Sequence, residues 1–339
     1  MLAAVAAFAS SLHVTFPNTR PGEPALAPTP SRRRRYPRRV REWAAEVTVD
    51  EALARRLIGA QFPDLELRSL SPLGQGWDMT VWLVDDQWVF RFPRREMVIR
   101  GLINEISHLP QLASLVPLPI PSPTYIGEPS SEYRWPFYGA PFLAGRELAE
   151  AVLDDGRRAA LARPLGEFLR ALHHTRLGAD LPLDPVRRAD MTFRVPKTRE
   201  RLAELEQLGL WHAPRDAHEV IEAAVELGPP EPTALVHGDL HLRHLLVDDD
   251  GQATAVIDWI DLSYNNPGVD LILYWSVLPP EGRREFREAY GTISDDQLLC
   301  ARILSLFLCG TLALYGHHEG MPQLRREAVA GLDRTIHPG

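Results

Sequence analysis

The run Leu235-Val-His-Gly-Asp-Leu-His-Leu-Arg-His-Leu-Leu-Val247, followed by Ala255-Val-Ile-Asp-Trp259, constrains this chain more than any other stretch. Short apolar segments at either end of it have β-strand character, and the polar residues between them have to form a loop. The loop and the segment after it set a carboxylate (Asp239), a candidate metal ligand (His244) and a second carboxylate (Asp258) in order along the chain. A turn at Asp250-Gly251 lets Leu235 to Trp259 read as a hairpin. Gly-Asp alone is ordinary turn chemistry. Asp239 carries functional weight because Asp258 and a hydrophobic strand on each side accompany it.

Phosphoryl transfer to a hydroxyl asks a protein mainly for positioning and charge neutralisation. A carboxylate orients the hydroxyl and accepts its proton, a role open to Asp239. Metal ions bridging nucleotide phosphates need ligands, a role open to His244 and Asp258. Protein-kinase chemistry uses this order and spacing: a base, a metal ligand five positions on, then a metal-binding Asp.

These residues resemble the aminoglycoside phosphotransferase family, whose fold is similar to that of the protein kinases. Its loop reads H-G-D-x-x-x-x-N and its metal motif I-D-x, matched here by His237-Gly238-Asp239 and Ile257-Asp258-Trp259. Asn266-Pro267-Gly268-Val269-Asp270-Leu271 extends the likeness, since family members commonly read D-P-x-x-D-L there. The resemblance implies that His237 and Asp270 support the loop, Asp270 through backbone hydrogen bonds. It departs at His244, which stands where Asn is usual. Macrolide phosphotransferases resemble this chain in having His there and Arg on the N-lobe strand. Magnesium prefers oxygen to the softer imidazole nitrogen, so Mn²⁺ is an alternative to Mg²⁺.

The N-terminal half is more degenerate. Gly74-Gln75-Gly76 looks like a shortened glycine-rich loop over phosphates, with Met79 at the third glycine position. In Trp88-Val-Phe-Arg-Phe92 the kinase lysine is replaced by Arg91, which strand alternation puts opposite Trp88, Phe90 and Phe92. Arginine can bind phosphate bidentately, though a solvated edge cation like Arg94 and Arg95 is the competing reading. The partner of Arg91 is expected at Glu105, with Glu96 as competitor. Backbone groups of Ala140 to Leu143, Ala140 and Phe142 above all, would meet a purine edge; Pro141 has no N–H to offer.

Segmentation follows from these signals. Residues 1–42 read as a disordered extension or a mis-annotated start, 43–143 as a nucleotide-binding N-lobe, and 144–339 as a C-lobe with the catalytic loop and substrate site. Thr48-Val-Asp-Glu51 fits a capping box opening a helix. Strands are expected at 67–73, 80–84, 87–92, 124–126 and 138–143, with a helix from about Glu96 between the third and fourth. Helices are expected at 156–174, 196–207, 214–226, 267–278, 281–290, 294–315 and 322–335. The fold class is α+β, a protein-kinase-like two-lobe fold.

Residues 1–42 hold 8 Lys/Arg and 2 Asp/Glu against a total charge of −8, so the rest of the chain is strongly acidic. That body argues against nucleic acid and suits a cationic small molecule. The apolar run Ile303 to Leu314 is too short to span a bilayer and reads as a core helix. With Cys300 and Cys309 the only cysteines, no disulfide framework is expected and a reducing compartment fits; a cytoplasmic setting and a monomer or homodimer are the accompanying expectations.

The resemblance implies transfer of the γ-phosphoryl group of ATP or GTP to a hydroxyl of an amine-bearing small molecule, of aminoglycoside or macrolide type. Three rivals stand beside it. A metabolic kinase for choline, homoserine or a sugar amine keeps the chemistry, and a kinase-like binding module loses it. A metallohydrolase would use His237, Asp239, His241 and His244, but the Gly-Asn-His segment of such enzymes is absent.

Overall fold

The computed structural model describes residues 45–75, 78–178, 180–229 and 231–337. Gly76 and the segment 1–42 lie outside them. Helix α1 (Glu51–Gln61) precedes an antiparallel sheet built from β1 (Leu70–Gln75), β2 (Met79–Val84), β3 (Trp88–Pro93), β4 (Tyr125–Gly127) and β5 (Phe137–Pro141), in the order β1-β2-β3-β5-β4. The α1 cap is Asp50 rather than Thr48: its carboxylate sits directly before the helix and accepts from the Leu53 N–H at 2.8 Å. Asp85 and Asp86 join β2 to β3 with φ of 51° and 54°, the left-handed pair that a tight hairpin turn demands.

Period-two alternation sorts the β3 side chains. Phe90 and Phe92 pack with Trp82, Phe137 and Ile58 of α1 on one face. Val89 lies on the other face with Val81, Tyr138 and Leu102, the last from α2 (Ile99–Leu112). Arg91 shares that second face and is buried, as is Arg95, which pairs with Asp78 at 3.0 Å rather than lying in solvent.

The chain then leaves β5 for β6 (Arg146–Glu147) and becomes mostly helical. The expected helix over 156–174 is two, α3 (Asp155–Ala160) and α4 (Ala162–His174), followed by α5 (Met191–Gln207) and α6 (Arg215–Val225). The hairpin comes next, and its pairing differs from expectation. Strand β8 (Leu245–Val247) pairs with β9 (Ala253–Val256) and β6, whereas β7 (Ala234–Val236) pairs with β10 (Ser263–Asn265), which the sequence did not announce. The site loops therefore run between two small sheets, so each end is pinned separately.

A 3-10 turn (Pro267–Asp270) and α7 (Ile272–Ser276) replace the single helix expected over 267–278, and α8 (Pro280–Tyr290), α9 (Asp295–His318) and α10 (Pro322–Ile336) complete the unit. Helix α9 opens on a full Ser294/Gln297 capping box and forms the centre of the helical core. Its 24 residues exceed the run read from the sequence and are long and apolar enough to cross a bilayer, but 78% of its most apolar window is buried inside the fold.

Gly101 sets how closely α2 approaches the loop after Asp258. A Cβ there would lie 2.4 Å from the Ile260 carbonyl oxygen, a backbone atom that has nowhere to go. Gly101→Ala should therefore destabilise the protein by about 1–3 kcal/mol. Gly59→Ala, where a Cβ meets nothing within 4 Å on α1, should stabilise it by up to about 1 kcal/mol. Urea midpoints of the two variants against wild type check the opposite signs.

Candidate active site

The loop carrying Asp239 begins where β7 ends. Gly238 adopts φ +87°, and a Cβ on it would lie 2.5 Å from the Asp261 carbonyl oxygen, so only glycine makes this turn. Asp270, fully buried, accepts from the backbone N–H of His237 (2.8 Å) and of Gly238 (2.9 Å). His173 of α4 donates from Nε2 to the same carboxylate at 3.2 Å and takes the Tyr290 hydroxyl at Nδ1 at 2.7 Å. The loop's turn thus hangs from one carboxylate braced by a His–Tyr pair. Arg243 fixes its far end through a buried two-pronged pair with Glu147 of β6, at 2.9 and 3.0 Å.

Three histidines surround Asp239, and backbone partners decide their tautomers. His237 Nε2 lies 3.0 Å from the Ile257 carbonyl and must donate, while its Nδ1 accepts from the Asp239 N–H. His241 Nδ1 accepts from the Arg243 N–H at 3.2 Å, so its proton sits on Nε2, 3.6 Å from Asp239 Oδ2. His244 Nδ1 donates to the Asp239 carbonyl at 2.8 Å, which leaves the Nε2 lone pair facing Asp258 Oδ2 at 3.4 Å. Burial holds all three rings neutral: His237 and His241 are pushed down, and His244 to about 4, with His237 and Arg243 adding to burial against the pull of Asp258.

Asp239, His241 and His244 lie close enough together to hold a cation as a trio. Their protons argue otherwise, because His241 Nε2 and His244 Nδ1 are both N–H groups. The free lone pair belongs to His244 Nε2, and it points at Asp258. This pair, a neutral nitrogen and a carboxylate oxygen on one side of the loop, fits a divalent cation whose remaining positions phosphate and water would fill.

Asp258 sits at φ 66°, a left-handed conformation uncommon for a residue with a side chain. Arg91 holds it there: one guanidinium nitrogen is 3.0 Å from Asp258 Oδ1 and another 2.9 Å from Glu105 Oε1. Glu105 also accepts from the Trp259 N–H (3.0 Å) and the Tyr138 hydroxyl (3.1 Å), which joins α2 to both β5 and the metal-motif loop. Burial pushes Glu105 up to about 7 against the pull of Arg91, while Asp258 lies below the usual carboxylate range because the charge and hydrogen bond of Arg91 work against its own burial.

The structure thus gathers Asp239, His244, Asp258, Arg91, Glu105, His237 and Asp270 into one buried cluster. Gly74 stands at a register slip of β1, where Pro72 has no N–H for the ladder, and Gly76 is outside the described residues. Ala140 pairs with Val89 across β5 and β3. Phe142 differs from expectation: its N–H donates to the Gln87 carbonyl at 2.7 Å, so that donor is already committed to a protein partner. The Phe142 ring instead packs beside the Leu102 and Tyr138 cluster.

Sequence reasoning missed Arg188. It lies between α4 and α5, is 2% exposed, and its Nη2 is 2.8 Å from both Asp239 Oδ1 and Asp261 Oδ2. Burial together with Asp261 and Asp258 pushes the Asp239 carboxyl upward, and Arg188 opposes them. The available signal was two adjacent arginines, Arg187 and Arg188, in a Pro- and Asp-rich connector. Nothing local tells which of them turns inward.

A sequence profile described as "Phosphotransferase enzyme family" matches residues 69–299. Among solved structures, the chain is similar to the GDP and kanamycin complex of an aminoglycoside 2"-phosphotransferase (25% identity, TM-score 0.59, 83% of this chain and 97% of that one). It is also similar to the GDP complex of wild-type aminoglycoside 2'-phosphotransferase-IIIa (24%, 0.61, 85% and 99%). Macrolide 2'-phosphotransferase MphH from Brachybacterium faecium shares the fold at 22% identity (TM-score 0.52, 86% and 99%). A 58-residue stretch is 33% identical to the uncharacterized protein YcbJ of Bacillus subtilis, covering 17% of this chain and 19% of that protein.

The Asp270 brace makes a direct expectation. Asp270→Ala strands two buried N–H groups and the His173 proton, at a cost of about 1–3 kcal/mol for each unsatisfied group. Urea unfolding of the variant should show a large loss of stability, and Asp270→Asn, which keeps one acceptor oxygen, should recover part of it.

Proposed function

The chain belongs to the phosphotransferase enzyme family and, from that footing, we propose that it moves the γ-phosphoryl group of ATP or GTP to a hydroxyl of an amine-bearing small molecule of aminoglycoside or macrolide type. The observation that carries this reading is the unbroken buried line of contacts from Glu105 through Arg91 to Asp258, then His244, then the Asp239 carbonyl. A non-catalytic module would have no need to hold these groups in a shared, costly burial. The N–H protons on His241 and His244 speak against a metallohydrolase centre at Asp239. The solved relative at 25% identity contains GDP and kanamycin, which supports a nucleotide donor and an amine-bearing acceptor here.

In this reading residues 43–143 form the nucleotide-binding lobe and 144–339 the catalytic lobe. Asp239 orients the acceptor hydroxyl and takes its proton as the new bond to phosphorus forms. Arg91, held by Glu105, and the Gly74-Gln75-Gly76 segment position the phosphates, and the purine edge meets the backbone around Ala140. His244 and Asp258 would hold Mg²⁺ or Mn²⁺, which supplies neutralisation of the charge that gathers on the phosphate oxygens. His237 and Asp270 keep the loop in register. The acceptor, the choice of nucleotide and a cytoplasmic setting are parts of the same proposal.

Purified protein should turn over with ATP or GTP on at least one member of a panel of aminoglycosides, macrolides, choline and homoserine. Asp239→Asn should lower kcat by about 10²–10⁴-fold with nucleotide binding retained. A panel without turnover for wild type would sink the proposal.

The metal site has its own pH signature. Protons compete with a cation for His244 Nε2 only near its depressed value of about 4. The loss of cation affinity from pH 8 down to about 5.5 should therefore be the same in wild type and in His244→Asn, whose ligand does not titrate, whereas an ordinary imidazole would add a further loss near 6.5 in wild type alone. His244→Ala should weaken cation dependence more than nucleotide binding. An unchanged metal titration would remove His244 from the site.

A further inference from the structure

We infer that Arg188 is a gate on the catalytic carboxylate, which an acceptor has to move aside and which keeps water from taking the phosphoryl group in its absence. The inference rests on the assignment of Asp239 as base. An acceptor hydroxyl must come within about 2.6–3.2 Å of a carboxylate oxygen for its proton to be taken. Asp239 is only 1% exposed, and both of its carboxylate oxygens are buried with no aligned hydrogen-bond donor among the described residues. The base thus has unspent hydrogen-bonding capacity, yet nothing from solvent reaches it.

The groups packed against Asp239 decide which one has to move. His241 and His244 belong to the same loop, and their rings are tied to backbone at His241 Nδ1 and His244 Nδ1. Arg188 comes from a different segment. Its Nη2 lies 2.8 Å from Asp239 Oδ1 as an ion pair, but its aligned hydrogen bond, also 2.8 Å, goes to Asp261 Oδ2. The guanidinium is therefore anchored on Asp261 and only leans over Asp239.

The backbone beneath Arg188 is fixed. Asp184 accepts from the Arg188 N–H, and Arg194 donates to the carbonyls of Val186 (2.7 Å) and Arg187 (3.0 Å). Motion is confined to the side chain, whose Nε has no hydrogen-bond partner to lose. Within the proposal, a swing of the guanidinium about its Asp261 anchor is the movement that would free Asp239 Oδ1.

The gate changes the fate of bound nucleotide. If water reaches Asp239, its oxygen bonds to the γ-phosphorus, the bond from phosphorus to the bridging oxygen breaks, and Asp239 takes the water proton. The products are inorganic phosphate and nucleoside diphosphate. With Arg188 in place this path is closed until an acceptor with enough binding energy displaces the guanidinium.

The test measures phosphate release from ATP and from GTP without acceptor, for wild type, Arg188→Met and Arg188→Lys. Arg188→Met should raise acceptor-free release about tenfold or more when read at about pH 9, where the carboxylate stays ionised without its cation, as expected when a water-excluding group is lost. Arg188→Lys, which keeps a cation on Asp261, should stay near wild type. Equal release from wild type and Arg188→Met, with nucleotide binding intact in both, would overturn the gate. Should Arg188→Met fail to fold, Arg188→Gln, which keeps a polar side chain of similar length but removes the charge, should raise release in the same way, and its failure to do so counts equally against the gate. Wild type that transfers to no acceptor while Arg188→Met releases phosphate would instead defeat the acceptor assignment and keep the gate.

Discussion

One guanidinium, that of Arg91, holds the two halves of the site together. It lies buried between Glu105 and Asp258, so it couples β3 and α2 to the loop that follows β9. Leaving either carboxylate unpaired at that depth costs several kcal/mol, far more than an exposed pair contributes. The arrangement is therefore close to all-or-none. It also explains the left-handed backbone at Asp258, because the ion pair and the Glu105 bond to the Trp259 N–H hold the strained residue from both sides. In the proposed function, a phosphate entering this space would compete with Asp258 for Arg91, which would link nucleotide binding to the position of the Asp258 loop through a single side chain.

The loop around Asp239 obeys a second economy, in which backbone groups set side-chain chemistry. Asp270 takes two N–H groups that the Gly238 turn would otherwise strand, and the Ile257 and Asp239 carbonyls each fix one imidazole proton. Because those partners are main-chain atoms, the tautomers follow from the path of the chain rather than from pH. The result is one unengaged lone pair among three neutral, buried rings, and it is directed at Asp258.

Much of this was legible in the sequence for a simple reason. Alternation along β3 puts Arg91 opposite Trp88, Phe90 and Phe92, and the helical period of α2 puts Glu105 at the margin of its apolar face; both are local rules. The Asp239, His244 and Asp258 spacing is likewise a property of one contiguous stretch. The features that escaped are non-local. The pairing of β7 with β10, the Arg243–Glu147 clamp and the placement of Arg188 over Asp239 each join segments whose separation carries no periodic signal. The Phe142 N–H escaped for the same reason, since its Gln87 partner lies immediately before the neighbouring strand β3, far away in sequence. Thr48 misled because a capping box matches by spacing alone, whereas Asp50 stands closer to the helix and caps it by itself.

The departure at His244 makes physical sense only with these neighbours. An asparagine offers a cation one neutral oxygen and needs nothing else to be set. A histidine offers a nitrogen only if it is unprotonated and turned the right way, and here burial supplies the first condition and the Asp239 carbonyl the second. The same hydrogen bond ties the His244 ring to the backbone of Asp239. In the proposed function, a shift of a cation held at His244 would therefore reach Asp239 through one imidazole ring.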